Sequence, residues 1–336
     1  TAPAYSVVIP AWNEEIPLGR LLERLSSSRL DGVEVIVVSD GSTDGTEAVA
    51  AQAGARVLRT TGRRGPAAAR NLGARAARAP FLVFLDADVV PEPGLLERVD
   101  AHRAQTPELR CFTGVYAREP AVDGWFQRYR ALLNHSYHAS LPVRGESTLF
   151  VTAVAGIDKA LFEELGGFDE SESAREVEDT ELGYRILQRT AIHLLRDVEV
   201  QHHFPSFAVN LVNYYRRSAG WVRLFRGRQR FDNHTTTGST AALRLLGAGV
   251  AVATGAALGW PPLWPAAIAL HGAYLVANRR FFTLLVRHAP VRELPRMYAA
   301  DLCLGLAVMA GAARGAVDVA LSLARGRAGR RASAQT

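Results

Sequence analysis

Four short apolar runs alternate with segments of helical spacing at the start of the chain, and this alternation restricts the fold more than any other feature. Tyr5–Pro10, Glu34–Ser39, Ala55–Arg59 and Phe81–Leu85 read as strands; Ile16–Ser26, Thr46–Gln52 and Gly65–Ala77 read as the helices between them. Strand–helix alternation with short connections implies a parallel sheet with right-handed crossovers. Thr46 opens a helix for which Asp44 or Ser42 is the expected cap.

The fourth run, FLVFLDADVVPEP, sets Asp86 and Asp88 two residues apart directly after an apolar stretch bounded by Pro80 and Pro91. Such a run fits a parallel strand covered on both faces, and open α/β sheets take their ligands at the C-terminal ends of their strands. Two acids this close repel one another, and a cation between them relieves the repulsion. Taken alone, D-x-D reads first as a polar turn that merely ends a strand.

From about residue 110 to 230 the pattern is less regular. Cys111–Tyr116 and Leu149–Ala155 read as strands, GIDKALFEELGGF as a helix closed by Gly166 and Gly167, Glu176–Gln188 as a helix, and Ser206–Phe225 as a long amphipathic helix. After DNHTTTGST the composition changes. Ala241–Trp260 is apolar apart from Arg244 near its start, Pro261, Pro262 and Pro265 interrupt, and apolar residues resume through Ala266–Ala277. About 20 such residues cross a bilayer, so the first segment qualifies on length. NRRFFTLLVRHAPVRELPR then interleaves arginine with Phe, Leu and Val, as interfacial helices do, and a third apolar stretch, Ala299–Leu323, carries Arg314 and Asp318. A buried helical hairpin is the competing reading; Gly/Ala-rich segments joined by Pro with an arginine-rich border favour membrane association.

Composition excludes several classes. The chain has 39 Lys plus Arg against 33 acids, a formal charge of +6, and Lys159 is its one lysine. An arginine bias suits phosphate recognition, but a high-GC genome produces it too. No zinc spacing, RNP-like pattern or basic zipper accompanies the charge, so nucleic acid is not an expected partner. Cys111 and Cys303 form no metal or disulfide framework, as in a reducing compartment. TAPAYSVVIP has neither a charged n-region nor a long apolar h-region, so no secretory signal is expected.

VVIPAWNEE ends the first strand and VIVVSDGSTDGT the second, RRGPAAARNLGARAARAPFLVFLDAD leads into the fourth, and GGFDES and EVEDTELGYRI follow. In this order and spacing, over about residues 5–225, the sequence resembles the family 2 glycosyltransferases, nucleotide-sugar-dependent enzymes of the GT-A fold. The resemblance implies an α/β GT-A domain, Rossmann-like with a mainly parallel sheet and flanking helices, over residues 1–235. A C-terminal membrane-associated helical region is expected over 236–325, with a hairpin at 241–277, an interfacial segment at 279–298 and a third apolar helix at 299–323. A basic tail, 326–336, closes the chain.

The same resemblance supplies residue roles. Pro10, Asn13, Glu14 and Asp40 are expected to contact the nucleotide sugar, Asp86 its ribose or an outer-shell water, and Arg70 its diphosphate. Asp88 is the expected ligand of a divalent metal, Mn²⁺ or Mg²⁺, whose charge would meet that of the departing diphosphate. His202, in VQHHF, is a further metal ligand or diphosphate contact and is preferred over His203. Asp179, second of the acid pair in EVED, is the expected catalytic base. The sequence reads Ser39-Asp40 where many relatives have two acids. It also lacks the Q-x-x-R-W signature of processive relatives near YYRRSAGW, which implies one transfer per acceptor.

Without the family, each residue has a plainer reading: a surface arginine, a helix-stabilising acid, a buried hydrogen-bonded histidine. A nucleotidyltransferase would carry a Gly-rich basic loop where PAWNEE stands, and a dinucleotide oxidoreductase would carry G-x-G-x-x-G. A non-catalytic nucleotide-sugar-binding membrane protein is the rival of a different class. The expected function is inverting, metal-dependent sugar transfer to a hydroxyl on a lipid or lipid-linked saccharide, with polyprenyl phosphate as the alternative acceptor. The catalytic domain is expected on the cytoplasmic side of the cell membrane. Residues 241–260 would leave the cytosol, 263–277 return, and 299–323 lie in or near the interface, which keeps the basic ends inside.

Overall fold

The computed structural model describes residues 2–28, 31–138, 144–171, 177–228 and 238–333, which fall into two compact units, Thr1–Phe204 and Pro205–Thr336. The chain order in the first unit is β1 (Tyr5–Ala11), α1 (Glu15–Ser26), β2 (Val33–Ser39), α2 (Thr46–Gln52), β3 (Arg56–Arg59), α3 (Pro66–Ala76) and β4 (Phe81–Leu85). Then come β5 (Val89–Pro91), α4 (Leu95–Gln105), β6 (Cys111–Tyr116), α5 (Trp125–His138), β7 (Arg144–Ser147), β8 (Val154–Asp158), α6 (Lys159–Glu164), α7 (Glu178–Ile186) and β9 (Ile192–His202).

The described strands join one sheet in the order β3-β2-β1-β4-β8-β6-β9-β5, with β7 paired to β9. It is parallel from β3 through β4 and mixed beyond, where β8 runs antiparallel to both β4 and β6. Along β4 the side chains alternate: Phe81, Val83 and Leu85 join one core, Leu82 and Phe84 the other. Both faces are therefore dry, which explains the unbroken apolar run. Leu18, Leu21, Leu22 and Leu25 of α1 close the first face at helical spacing. Phe150, Phe162 and Phe168 pack around Phe84 on the second, with ring centroids 6.3, 5.5 and 5.2 Å away.

The strand expected at Leu149–Ala155 is instead β8, Val154–Asp158, and the helix expected from Gly156 begins at Lys159. Gly156 explains the shift. Its missing side chain leaves room for the stacked rings of Phe81 and Phe112, and a Cβ there would lie 2.3 Å from Phe112. Asp158 then caps α6 by accepting from the Leu161 N–H at 3.1 Å. Gly166 and Gly167, both at positive φ, close it as expected. The helix expected at Glu176–Gln188 is α7; Glu176 lies outside the described residues, as does the expected domain boundary at 235/236.

The second unit contains α8 (Phe207–Arg228), α9 (Gly238–Gly259), α10 (Trp264–Ala277), α11 (Arg279–His288) and α12 (Leu294–Ser333). Among the described residues, two stretches are long and apolar enough to cross a membrane, Gly238–Gly259 and Val291–Leu321. α10 has 14 residues, about 21 Å at 1.5 Å per residue, because the prolines at 261 and 262 delay its start and Asn278 ends it. A polar cluster joins these helices. Arg244 Nη1 donates to Asp301 Oδ1 at 2.6 Å, the Tyr274 hydroxyl donates to Asp301 Oδ2, and His271 bridges Thr254 Oγ1 at 2.9 Å and the Tyr298 hydroxyl at 2.6 Å. On α11, Phe281 and Leu285 are buried while Arg279, Arg280 and Arg287 are exposed.

Candidate active site at the strand ends

The parallel register aligns Ala11 with Ser39 and Val8 with Phe84, so the segments after β1, β2 and β4 emerge at one edge. Pro10 pairs with Val38 of β2 and lies past the last β1–β4 partner, so its missing N–H falls where that ladder has ended. Asn13 takes a left-handed φ of 55°, which asparagine tolerates better than most residues. Its Oδ1 accepts from the Thr43 N–H at 2.7 Å, and its own N–H donates to Ser42 Oγ at 3.1 Å. Asp44, one residue before the Gly45 N-cap of α2, accepts from the Thr46 N–H at 3.0 Å and from the Glu15 N–H, while Glu15 accepts from the Gly45 N–H. The two acid-bearing loops are thus laced together.

Asp40 is buried, and its carboxylate accepts from Thr60 Oγ1 at 2.8 Å, the Arg64 N–H at 2.8 Å and the Gly65 N–H at 2.7 Å. It organises the loop before α3, and the nucleotide contact expected of it would be made beside these bonds. Glu14 points no cap onto α1. Burial, then the charges of Asp88, Asp44 and Asp86, push its carboxyl up to about 7.

Arg70 leaves α3 beneath this edge with its side chain 5% exposed. Its Nη2 donates to Asp86 Oδ1 at 2.6 Å and its Nη1 to Glu178 Oε1 at 2.9 Å. Burial opposes the charged guanidinium, but Asp86 and Glu178 outweigh it and hold Arg70 protonated above its usual range. Its Nε is buried without a partner. Glu178 and Asp179 both stand in the first turn of α7, where Asp179 Oδ1 accepts from the Thr180 N–H at 2.7 Å.

Of the two histidines, His202 is the one beside the D-x-D: its Nε2 lies 3.5 Å from Asp88 Oδ2. The β5–β9 ladder sets this by pairing Val89 with His202. The imidazole stacks on Phe204, centroids 4.5 Å apart, and its Nδ1 is buried without a partner. His203 instead gives its N–H to the Asp88 carbonyl, and burial, with Arg20 and His202 nearby, lowers its ring to about 4. Burial raises the Asp88 carboxyl, His202 draws it down and Asp86 pushes it up; the net direction is upward.

Among the described residues no group of three or more His, Cys, Asp or Glu converges as a metal cage. A Mg²⁺-type cation does not need one, since it is held by one or two carboxylates plus substrate phosphates and water. Asp88 with His202 offers two donors, and the carboxyls of Glu14 and Asp88 are raised first by burial and then by neighbouring acids, a shift that a bound cation would reverse. The donor set fits a hard divalent ion. Sequence reasoning missed Glu178 as the partner of Arg70. It also missed Asn71, which donates to the Phe168 carbonyl at 2.9 Å and accepts from the Phe168 N–H at 2.9 Å. A third missed contact puts the Arg63 guanidinium 3.4 Å over the Trp12 ring. Only Asn71 had a local signal, its place next to Arg70 in AARN.

Residues 6–166 match the model of the family described as Glycosyl transferase family 2. A pre-mycofactocin glycosyltransferase of Mycobacterium tuberculosis is 35% identical over 202 residues, covering 55% of this chain and 39% of that protein. A validoxylamine A glucosyltransferase of Streptomyces hygroscopicus subsp. jinggangensis is 33% identical over 217 residues, 55% of this chain and 51% of that protein. The chain thus spans about half or less of the length of these relatives. A solved mannosyltransferase from Pyrobaculum calidifontis, in complex with GDP-Man and Mn2+, superposes with a TM-score of 0.55 at 18% identity, over 95% of this chain and 88% of that one. At that identity the likeness is one of fold.

Proposed function

This chain carries a glycosyl transferase family 2 domain on a GT-A fold, and we propose that it transfers a sugar from a nucleotide-sugar donor to a hydroxyl acceptor with inversion. The observation that carries this is the gathering of Glu14, Asp40, Asp86, Asp88 and His202 at one strand edge, joined through Arg70 to the start of α7. Pro10, Asn13, Glu14, Asp40 and Asp86 would receive the nucleotide and its sugar. The free Nε–H of Arg70 suits a diphosphate oxygen.

Asp88 and His202 would hold a divalent ion, Mn²⁺ or Mg²⁺, which when bound supplies positive charge for the diphosphate. Asp179 takes the proton of the acceptor hydroxyl as that oxygen bonds to the anomeric carbon. The bond from that carbon to the diphosphate oxygen breaks, and its electron pair leaves on the diphosphate. One displacement inverts the configuration. A hydroxyl gains from a positioned carboxylate, roughly 10²–10⁴-fold.

The acceptor is a lipid or lipid-linked saccharide at the inner membrane face. This part of the proposal draws on the second unit, where Leu245, Val252, Leu258 and Ile268 are all more than half exposed on α9 and α10. Apolar side chains so exposed on candidate spans call for a lipid surround. The arginines of α11 suit a headgroup interface, with the first unit on the cytoplasmic side. The names of two relatives direct attention to pre-mycofactocin and validoxylamine A instead.

The test is to incubate membranes containing the protein with labelled nucleotide sugars, with and without Mn²⁺, and to extract with organic solvent. Metal-dependent label in the organic phase, stable to mild acid, is expected. An acid-labile polyprenyl phosphosugar would refute the hydroxyl acceptor, label confined to water would refute the lipid, and no release of nucleotide would refute the enzyme.

A further inference from the structure

The ion pair between Arg70 and Glu178 joins residues 108 positions apart, and it does so at the point where α7 begins. An acid in the first turn of a helix is already favoured by the helix dipole and needs no partner at a surface. Glu178 is not at a surface. Its side chain is 9% exposed and that of Arg70 5%, so both charges have been taken out of water. Burying such a pair adds little net stability, because desolvation offsets the attraction, whereas a fixed geometry is retained. What the geometry fixes is specific: Arg70 uses one terminal nitrogen for Glu178 and the other for Asp86, two residues before Asp88. The two neighbouring acids of α7 are engaged otherwise. Glu181 pairs with Arg185, and Asp179 accepts from Thr180.

We propose that Glu178 is a positioning residue: through Arg70 it sets the first turn of α7, and with it the Asp179 carboxylate, against Asp86 at the end of β4. This rests on reading Asp179 as the base and Asp86–Asp88 as the donor site. The planar fork of arginine is what permits one side chain to hold two acids in a defined direction, which a lysine point charge does not reproduce. A misplacement of about 1 Å at a reacting group costs roughly 10²-fold in rate. Loss of the link therefore acts on turnover and leaves the donor, bound on the β4 side, largely unaffected.

Two measurements on this chain test this. In the first, Glu178→Gln and Arg70→Lys are assayed for metal-dependent transfer beside Glu181→Gln, a control that breaks the Glu181–Arg185 ion pair within α7. The expectation for Glu178→Gln is a kcat lowered about 10²-fold with donor KM within about threefold, from the misplacement cost above. Arg70→Lys should lower kcat too and, because the Arg70 Nε is assigned to the donor diphosphate, should also raise donor KM, whereas Glu181→Gln should lower the melting temperature while keeping kcat. A native kcat in Glu178→Gln, or equal loss of kcat and donor affinity, overturns the proposal. The second measurement is independent of turnover: a urea-unfolding cycle of Asp86→Asn, Glu178→Gln and the double variant. Sharing one guanidinium makes the two effects non-additive, and strict additivity overturns the link. If the native protein releases no nucleotide from any donor, the reading of the site falls and the positioning role with it. That result is distinct from an active native enzyme whose Glu178→Gln variant is equally active.

Discussion

Asn71→Ala is the substitution whose cost can be worked most directly from the structure. Asn71 is buried on α3, and its amide makes three bonds: Nδ2 to the Phe168 carbonyl at 2.9 Å, Nδ2 to Glu170 Oε1 at 2.8 Å, and Oδ1 from the Phe168 N–H at 2.9 Å. Alanine removes all three at once. Glu170 can turn to water, but Phe168 is 2% exposed and packs its ring on Phe84, Phe150 and Phe162, so its backbone groups have nowhere to go. Each buried group left unpaired costs about 1–3 kcal/mol, so two give about 2–5 kcal/mol after partial relaxation. For a domain of 150–250 residues each kcal/mol is worth about 2–4 °C, which predicts a fall in melting temperature of roughly 5–15 °C.

Asn71→Asp is the sharper variant. It keeps the acceptor for the Phe168 N–H but loses both donors, and it turns a charge toward Glu170 and a carbonyl oxygen. Burial and the two facing oxygens push the new carboxyl upward, so Asn71→Asp should lose stability relative to Asn71→Ala as the pH is raised and regain it as the pH falls. Differential scanning fluorimetry on the purified chain reads both. A shift under 2 °C for Asn71→Ala would refute the view that this amide holds the loop after α6.

Four further outcomes follow from the same structure. Asp88→Asn should abolish transfer and weaken nucleotide binding chiefly when Mn²⁺ is present, read by thermal shift; turnover unchanged by a chelator would remove the metal role. Asp179→Asn should keep the fold and donor binding while kcat falls about 10²–10⁴-fold, since it removes a base and not a binding charge; a near-normal kcat would end its assignment as base. Asp301→Asn leaves the buried Arg244 charge without its carboxylate, a loss of about 3–5 kcal/mol for a broken buried pair, and should destabilise the second unit in detergent. Cys111 is buried, and burial raises its thiol well above the usual range, so maleimide should spare Cys111 until the chain unfolds; mass spectrometry of labelled peptides decides.

What the sequence disclosed and what it withheld differ in range along the chain. The parallel strands were legible because each is an apolar run stopped by a turn, and the acids after them sit at positions that strand ends define. The expected cap at Asp44 or Ser42 fell one or more residues early: Gly45 is the N-cap of α2, and Asp44 bonds the Thr46 N–H from just before it. The error at β8 arose from Gly156, which reads as a helix start or a turn in isolation. It becomes a strand residue only when Phe81 and Phe112, from two other strands, need the space. In the second unit α9 and the apolar part of α12 were legible from composition, yet Arg244 gave no hint of Asp301, 57 positions later.

The candidate site follows the same division and adds a physical reason for it. Asp86 and Asp88 stood out as paired acids after an apolar strand, and Asp40 was singled out by the family resemblance. Arg70 could not be placed between Asp86 and Glu178, since each partner comes from a different element and no spacing in the sequence joins them. Likewise the carboxyl of Glu14, at about 7, takes its shift from burial and from three acids on two other loops, so no local pattern encodes it. Charges accumulate at this edge because the parallel register brings three loops together there, and repulsion among them persists in the folded chain. Burial is the first cause of the rise at Glu14 and Asp88 and the neighbouring acids add to it, so a cation held between these carboxyls would draw both back down.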